Sequence, residues 1–264
     1  MRMKLLSGLA MAVAFGASAH AANLVQNGDF SSVTTSSASG SFEFDMAAPN
    51  NAGTVANWSS VNPTGQTSYN ILFKTSTANT GAPVTRFGTS TDQGLWVLPS
   101  NTAAMNIGTN FIALDGDMGS GGSNNVQGEL QQQITGLVAG QTYTLTFDFA
   151  AAQLQSRTGD TTEKLGVSLI GNHGTQSFTT DTLSDASKHA TDWELETFTF
   201  TASDSTELLK FLSYGTPDGD PPMALLDNVS ITGSVPEPAT WGLMLVGVGA
   251  IGATLRRRRA LALA

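Results

Sequence analysis

Asp227 is the acidic residue whose position most clearly demands a partner. It lies in the apolar segment 225–232. Because side chains alternate along a strand, Asp227 should share a face with Leu225, Val229 and Ile231 and point towards the core. A buried carboxylate becomes neutral unless a cation or hydrogen bonds compensate it. The sequence therefore predicts either a cation at Asp227 or a carboxylate that caps backbone amides of the first strand.

Aromatic side chains are the second group with chemical potential, because an aromatic ring can stack on the apolar face of a sugar. The glutamine-rich segment 127–133 would add hydrogen bonds. The alternative is that these rings pack in the core or anchor loops. Four candidates are predicted to lie in or beside loops or strand ends: Trp58, Tyr69, Trp96 and Tyr214.

Catalytic signals are weak. Between the two termini the histidines are His173 and His189, both in polar, loop-like surroundings, and the chain has no Gly-x-Ser-x-Gly or His-Glu-x-x-His motif. Glu194 and Glu196 could imitate a glycosidase pair, but residues two apart fit the exposed face of one strand better. The acidic loops 115–117 and 218–220 lack EF-hand spacing and are interpreted as solvated turns.

The scaffold for these residues is predicted to be all-β. Apolar and polar residues alternate over 141–149 and 164–170, and residues 208–214 are apolar on both faces, as in a central strand. Residues 193–200 change parity, which predicts a bulge near Glu196 or Thr197. With turn-forming residues between the segments, the pattern predicts an antiparallel β-sandwich over residues 23–233.

The order of several motifs resembles that of galactose-binding-like jelly-roll domains, and most closely the DUF642-like and choice-of-anchor proteins of cell surfaces. The motifs are Asn-Gly-Asp-Phe at 27–30, Ala-Leu-Asp-Gly at 113–116, Gly-Gln-Thr-Tyr-Thr-Leu-Thr-Phe at 140–147, Trp193, and Leu-Asp-Asn-Val at 226–229. The resemblance implies a jelly roll with paired terminal strands. It also implies a structural Ca²⁺ ion held by Asp227 and oxygen ligands of the first strand, with Asp29 among them. The chain departs from the pattern at Ser31, where a glutamate usually follows the Phe.

The C-terminal tail combines three segments: Val235-Pro236-Glu237-Pro238, an uncharged apolar run at about 240–255, and Arg256, Arg257, Arg258 and Arg259. A helix of about 16 residues rises about 24 Å, just enough to cross a membrane, and the arginines would keep to the cytoplasmic side. The tail resembles the PEP-CTERM sorting signal of Gram-negative, exopolysaccharide-producing bacteria. The resemblance implies a transient inner-membrane anchor and cleavage by an exosortase near Pro-Glu-Pro. The alternative is an ordinary membrane anchor.

The N-terminus predicts export independently. Arg2 and Lys4 precede an apolar run at 5–15, and residues 17–21 offer small residues for signal peptidase. This pattern is typical of a signal peptide, here residues 1–21, removed after Ala19 or Ala21.

Charge narrows the range of partners. Of 12 basic and 21 acidic residues, the two terminal segments hold six basic and one acidic, so residues 23–235 keep six basic and 20 acidic residues, or about −14. Such a surface repels nucleic acid and anionic lipid but is compatible with divalent cations or neutral glycans. The chain contains no cysteine, which excludes disulfides and thiolate sites. The sequence thus predicts an exported surface or matrix protein, a non-enzymatic structural or exopolysaccharide-associating component of biofilm. The alternative is a secreted carbohydrate-active enzyme.

Overall fold

The computed structural model describes residues 22–35, 43–46, 53–63, 68–80, 83–86, 89–92, 94–117, 127–155, 157–220 and 222–233, with Gly242, Gly247 and Gly249. Residues 22–233 form one compact unit. The predicted signal peptide 1–21, the sorting residues Val235, Pro236, Glu237 and Pro238, and Arg256, Arg257, Arg258 and Arg259 lie outside the described residues. None of the described residues belongs to a helix that is long and apolar enough to cross a membrane.

Sixteen strands make up the described fold, and the long ones coincide with the alternating segments of the sequence. In chain order they are β1 (Val33–Thr35), β2 (Glu43–Asp45), β3 (Gly53–Val55), β4 (Ser59–Ser60), β5 (Asn70–Lys74), β6 (Pro83–Arg86), β7 (Thr89–Asp92), β8 (Asn110–Asp115), β9 (Glu129–Thr135), β10 (Thr142–Gln153), β11 (Thr161–Ile170), β12 (Thr175–Thr179), β13 (Leu183–Asp185), β14 (Glu194–Thr201), β15 (Thr206–Thr216) and β16 (Pro222–Gly233).

Two sheets face each other. The larger has the strand order β14-β10-β16-β8-β5-β2-β6-β7, and the smaller has the order β12-β11-β15-β9-β4, with β13 paired to β11; β1 and β3 form a separate pair. All these pairings are antiparallel except that of β2 with β6. The predicted all-β antiparallel sandwich is confirmed, and β15 is a central strand, as its sequence indicates.

The main core lies between the two sheets. Leu145 and Phe147 of β10 meet Leu165 and Val167 of β11 and Phe211 of β15, all fully buried. The rings of Phe147 and Phe211 pack edge to face with their centroids 5.1 Å apart. The period-2 pattern of β10 and β11 therefore does what it predicts: it turns one face of each strand into this core.

A second core covers the outer face of the larger sheet. Trp193, the residue directly before β14, packs on side chains that project from that face: Ile71, Phe73, Phe111 and Leu225. The alternation over residues 141–149 predicts one buried face and one solvated face, with Asp148 on the solvated face. The structure corrects this prediction, because Asp148 is only 4% exposed. Alternation within β10 cannot reveal that other segments fold over its polar face.

The predicted bulge in β14 is wrong. Its register with β10 is unbroken from Thr142↔Thr201 to Phe149↔Glu194. β14 is an edge strand, so Leu195 can remain 62% exposed and no bulge is needed. The irregularity lies instead between β10 and β16, where the register shifts between Thr146 and Asp148.

The first segment of the body, residues 23–30, is predicted from the sequence to be a short strand that runs into a turn at Asn27-Gly28. The structure has the turn but no strand in this segment. Asn27 and Phe30 have positive φ angles of 53° and 50°, which interrupt extended backbone. Nevertheless the segment pairs with the last strand: Leu24 N donates to Ile231 O and Val229 N donates to Gly28 O, each at 2.9 Å. These bonds bring Asp29 towards Asp227.

Candidate functional site

Two of the four candidate aromatic residues belong to the interior. Trp58 is 6% exposed, its ring centroid lies 5.3 Å from that of Phe30, and its Nε1 donates to the Asn27 carbonyl oxygen at 2.9 Å. Tyr69 is fully buried in the second core. Since neither ring can reach a sugar, the assignment of Trp58 and Tyr69 to glycan binding is corrected to a structural role.

Tyr214 lies in a groove on the outer face of the smaller sheet. Here β12, β11 and β15 are neighbours, and their outward side chains enclose a volume of about 320 Å³. The sheet groove is defined by its lining residues: Lys164, Gly166, Val167, Ser168, Ser177, Phe178, Thr179, Lys210, Leu212 and Tyr214. Neighbouring strands are about 4.8 Å apart, so three strands give a groove about 10 Å across, on the scale of a disaccharide.

A glycine sets the position of the Tyr214 ring. A Cβ atom on Gly166 would lie 2.8 Å from Tyr214 Cε2, so the ring occupies the space above Gly166 that any side chain would fill. Lys164 lies opposite Tyr214 in the β11–β15 register, and its Nζ is 5.8 Å from the ring centroid. The groove thus joins one half-exposed aromatic ring with hydroxyl and ammonium groups, the composition of many small-ligand sites.

Trp96 forms a second, separate aromatic site among loops. Its Nε1 donates to the Arg157 carbonyl oxygen at 2.7 Å, and Lys188 Nζ lies 4.9 Å from the ring centroid. The ring is half-buried. The structure therefore keeps Trp96 and Tyr214 accessible but does not bring them together in one site.

Asp227 is buried, as predicted, but its environment differs from the one expected. Its Oδ2 accepts from Gly108 N at 2.9 Å, so the amide that it caps precedes β8 and is not in the first segment. Its Oδ1 is buried and has no hydrogen-bond partner. Because of the register shift, the side chains of Val229 and Ile231 point into the main core, whereas Asp227 lies on the opposite face of β16, the face of Leu225 and the second core.

Burial raises the pKa of Asp227 to about 7, against the hydrogen bonds from Gly108 and Asn228, and the nearby Asp148 and Asp29 raise it further. Asp148 was not recognised from the sequence as part of this site. It is 4% exposed and accepts from Asn228 Nδ2 at 2.8 Å, and burial raises its pKa. Asp227, Asp148 and Asp29 thus form an acidic group around the paired chain termini of the body.

The oxygens around Gly108 fit a hard cation in kind. A Cβ atom on Gly108 would lie 3.5 Å from the Asp29 carbonyl oxygen, 3.7 Å from Asp227 Oδ2 and 3.8 Å from the Asn110 carbonyl oxygen. A hollow of about 330 Å³, lined in part by Asp29 and Asn228, lies nearby. No group of three or more His, Cys, Asp or Glu residues in the described part of the chain could hold a metal ion, so any Ca²⁺ here would depend on backbone carbonyl oxygens.

The structure also contains a second pair of buried carboxyl groups, which the sequence did not predict. Glu163 and Asp185 lie at one end of the main core, and Glu163 Oε2 and Asp185 Oδ2 are both buried without a hydrogen-bond partner. Burial raises the pKa of Glu163 to about 8, with repulsion from Asp185 adding to it, despite a 2.6 Å hydrogen bond from Thr161 Oγ1. Burial also raises the pKa of Asp185 to about 6, against its contact with His189. A signal existed, since Glu163 has the same parity as Leu165 and Val167.

The cluster of Ser203, His173 and Asp204 is not arranged for nucleophilic catalysis. Ser203 Oγ and His173 Nδ1 both bond to Asp204 rather than to each other, so the histidine is not placed to take the serine proton. Glu194 is exposed and Glu196 half-exposed on the edge strand β14, as predicted; burial and then repulsion from Asp181 and Glu194 raise the pKa of Glu196.

The acidic loop 115–117 is not a solvated turn. Asp115 and Asp117 are buried, Asp115 Oδ1 accepts from Asp117 N, and Asp117 Oδ2 accepts from Gly219 N, both at 2.8 Å. These contacts attach the loop at 217–220 to the sandwich, and they correct the interpretation made from spacing alone.

Fold and sites together define a two-sheet β-sandwich with a groove on one sheet and an acidic site where its termini pair. The chain matches the family model described as "Protein of unknown function (DUF642)" over residues 84–232, more than half of its length. The chain belongs to the DUF642 family. A second model, the PEP-CTERM protein-sorting motif, matches residues 234–259. Both resemblances inferred from the sequence are confirmed, and the protein is a secreted, exosortase-sorted protein of the Gram-negative type.

Known proteins extend these similarities. The chain is 29% identical to halomucin of Haloquadratum walsbyi over 217 residues, which cover 82% of this chain but 2% of halomucin. Among solved structures, one described as "CBM4 structure and function" is 16% identical to this chain, with a TM-score of 0.37. The match covers 79% of this chain and 99% of the chain in that structure. The K1 cleaved adhesin domain of Lys-gingipain from Porphyromonas gingivalis is 14% identical to this chain, with a TM-score of 0.38. The match covers 73% of this chain and 98% of the adhesin chain. At these TM-scores no function is transferred.

Proposed function

We propose that the exported domain is a non-enzymatic component of the cell surface or extracellular matrix that associates with exopolysaccharide in biofilm, and that it binds the glycan in the sheet groove. The observation that carries the proposal is the placement of Tyr214, a half-exposed ring held over Gly166 in a polar groove of about 320 Å³. A sugar would stack on the Tyr214 ring while Ser168, Ser177 and Thr179 offer hydroxyl groups along the floor.

Binding of residues 22–233 to the producer's exopolysaccharide tests this proposal. Tyr214→Ala should abolish retention on the immobilised polymer, whereas Trp96→Ala, at the separate loop site, should leave it unchanged. Loss of retention in Trp96→Ala alone would place the binding site among the loops. A groove occupied by a second copy of the chain would appear as a dimer in light scattering that Tyr214→Ala dissociates, and this result would contradict the glycan site.

The alternative is a secreted carbohydrate-active enzyme. Incubation with the same polymer would then produce new reducing ends, and a Glu196→Gln variant would stop their formation. Binding without new reducing ends supports the non-enzymatic proposal.

We further propose that Asp227 holds a structural Ca²⁺ ion together with the Asp29 and Asn110 carbonyl oxygens. The unpartnered Oδ1 of a fully buried carboxyl group supports this site, because a cation would supply the missing partner. Calorimetry of residues 22–233 should show Ca²⁺ binding that is absent from Asp227→Asn; no heat with the wild-type protein would exclude the site.

The tail implies the order of events before the domain acts. Signal peptidase would remove residues 1–21, the apolar run would hold the protein transiently in the inner membrane, and an exosortase would cut near Pro236-Glu237-Pro238. The sorting-motif match supports the exosortase step.

A further inference from the structure

The basic residues of the body are unevenly distributed. Residues 23–235 contain six lysine and arginine residues in all. Lys164 and Lys210 line the sheet groove, and Lys188 Nζ lies over the Trp96 ring. The Arg157 side chain instead donates from Nε to the Gly219 carbonyl oxygen. In a body with a net charge of about −14, three of the six cations therefore lie beside the two accessible aromatic rings, and two of these three line the sheet groove.

The lining of the sheet groove carries two ammonium groups and no carboxylate, although the body contains 20 acidic residues. Lys210 is partly compensated, because its Nζ lies 3.2 Å from Glu129 Oε2 at the margin of the groove. Lys164 has no ion-pair partner among the residues that the structure describes, and its ammonium group lies over the Tyr214 ring. The Lys164 ammonium is thus the uncompensated charge of the groove.

We propose that the sheet groove selects an acidic glycan, a polysaccharide whose sugars carry anionic groups, and that Lys164 binds the anionic group while Tyr214 stacks on the sugar ring. This inference rests on the glycan-binding function proposed above and specifies its ligand. It reverses, for this groove, the neutral glycan that the whole-chain charge favours.

Geometry and electrostatics support this choice. Lys164 Nζ lies 5.8 Å from the centroid of the Tyr214 ring, so a sugar stacked there brings its substituents close to the ammonium group. The flexible lysine stem lets Nζ move to an anionic group and donate a charge-assisted hydrogen bond. The negative surface around the groove would repel a polyanion in general, and a local positive site therefore restricts where such a chain can bind.

The test uses residues 22–233, the compact unit that contains both hydrophobic cores. The probes are polygalacturonate, its fully methyl-esterified form, dextran sulfate and dextran, which gives each polyanion a neutral counterpart. We expect tight binding to at least one polyanion and at least tenfold weaker binding to its neutral counterpart. Raising the salt concentration from about 0.05 M to about 0.5 M should weaken binding to the polyanion but not to the neutral glycan.

Lys164→Gln, which keeps most of the stem and removes the charge, should weaken binding to the polyanion about tenfold, the contribution of one hydrogen bond to a charged group. Lys74→Gln, on β5 of the other sheet, is the matched control and should bind as the wild type does. Preference for polygalacturonate identifies carboxylate as the anionic group, and preference for dextran sulfate identifies sulfate. Equal affinity for charged and neutral probes, with no effect of Lys164→Gln, would overturn the acidic-glycan inference but leave glycan binding intact. Failure to bind any of the four probes or the producer's polymer would overturn both.

Discussion

Replacing Glu163 with glutamine should change the pH dependence of the free energy of unfolding more than its value at acidic pH. Glu163 is fully buried at the end of the main core, and its Oε2 has no hydrogen-bond partner. Burial raises its pKa from 4.5 to about 8, so the folded protein keeps a proton that the unfolded chain releases above about pH 4.5. Glutamine has the same shape and no proton to lose.

The sign and size of the effect follow from this difference in proton binding. Because the folded state binds more protons than the unfolded state between pH 4.5 and about pH 8, stability falls as pH rises through that range. A tenfold change in an ionisation constant corresponds to about 1.4 kcal/mol, so the carboxyl group costs roughly 3 kcal/mol at pH 7 and roughly 4 kcal/mol at pH 8. Near pH 4 the cost vanishes, and the two proteins should differ only by the altered hydrogen bond to Thr161.

Urea unfolding of residues 22–233, followed by tryptophan fluorescence between about pH 4 and about pH 8.5, measures this difference. The stability of Glu163→Gln relative to wild type should increase by roughly 3 kcal/mol from pH 4 to pH 7. Glu194→Gln, at an exposed position on the edge strand, is the matched control and should keep the wild-type profile. If Glu163→Gln changes stability equally at every pH, the folded protein does not hold the extra proton and the reasoning is wrong.

Three further outcomes are expected. Trp58→Ala should cost about 3 to 5 kcal/mol in urea unfolding because it opens a cavity in the main core, whereas Tyr214→Ala should cost less than about 1 kcal/mol; similar costs would contradict their assignment to core and groove. Asp227→Asn should abolish any rise in melting temperature on adding Ca²⁺, and a rise that survives would place the ion elsewhere. Replacing Pro236 and Pro238 with alanine should leave the protein in the inner-membrane fraction, and unchanged release would refute cleavage by an exosortase at this sequence.

The sequence predicted the sandwich because its longest strands obey a local rule. Over residues 142–149 of β10 and 164–169 of β11 every second side chain is apolar, and this alternation needs no knowledge of the rest of the chain. The prediction of a bulge in β14 was wrong because a local pattern cannot distinguish an edge strand, where Leu195 can face solvent, from a central strand. The second core was not predicted, for a related reason. The segments that cover it, near residues 94–109 and 188–193, pack on β5 and β8 only through long-range contacts.

The candidate sites were predicted less well than the fold. Tyr214 and Trp96 are accessible as expected, but Trp58 and Tyr69 have the same residue types and similar neighbours in the sequence, and only packing separates the two pairs. The sheet groove requires residues from three strands that are up to about 50 positions apart, so no single segment could indicate it. The burial of Asp227 was predicted from its parity with Leu225, but the register shift that places Val229 and Ile231 in the other core could not be predicted from parity.

The buried carboxyl groups connect stability with the proposed Ca²⁺ site. The chain has no disulfide, and Asp227, with its pKa raised from 3.8 to about 7, opposes folding at neutral pH in the same direction as Glu163. A bound cation favours the ionised form of Asp227, so it removes this opposition and replaces the proton. Ligand at a hundredfold excess over its dissociation constant adds about 2.7 kcal/mol, which is comparable with the cost of one such carboxyl group. Ca²⁺ should therefore stabilise the domain most above about pH 7 and least near pH 5, where protons and Ca²⁺ compete for the same oxygens.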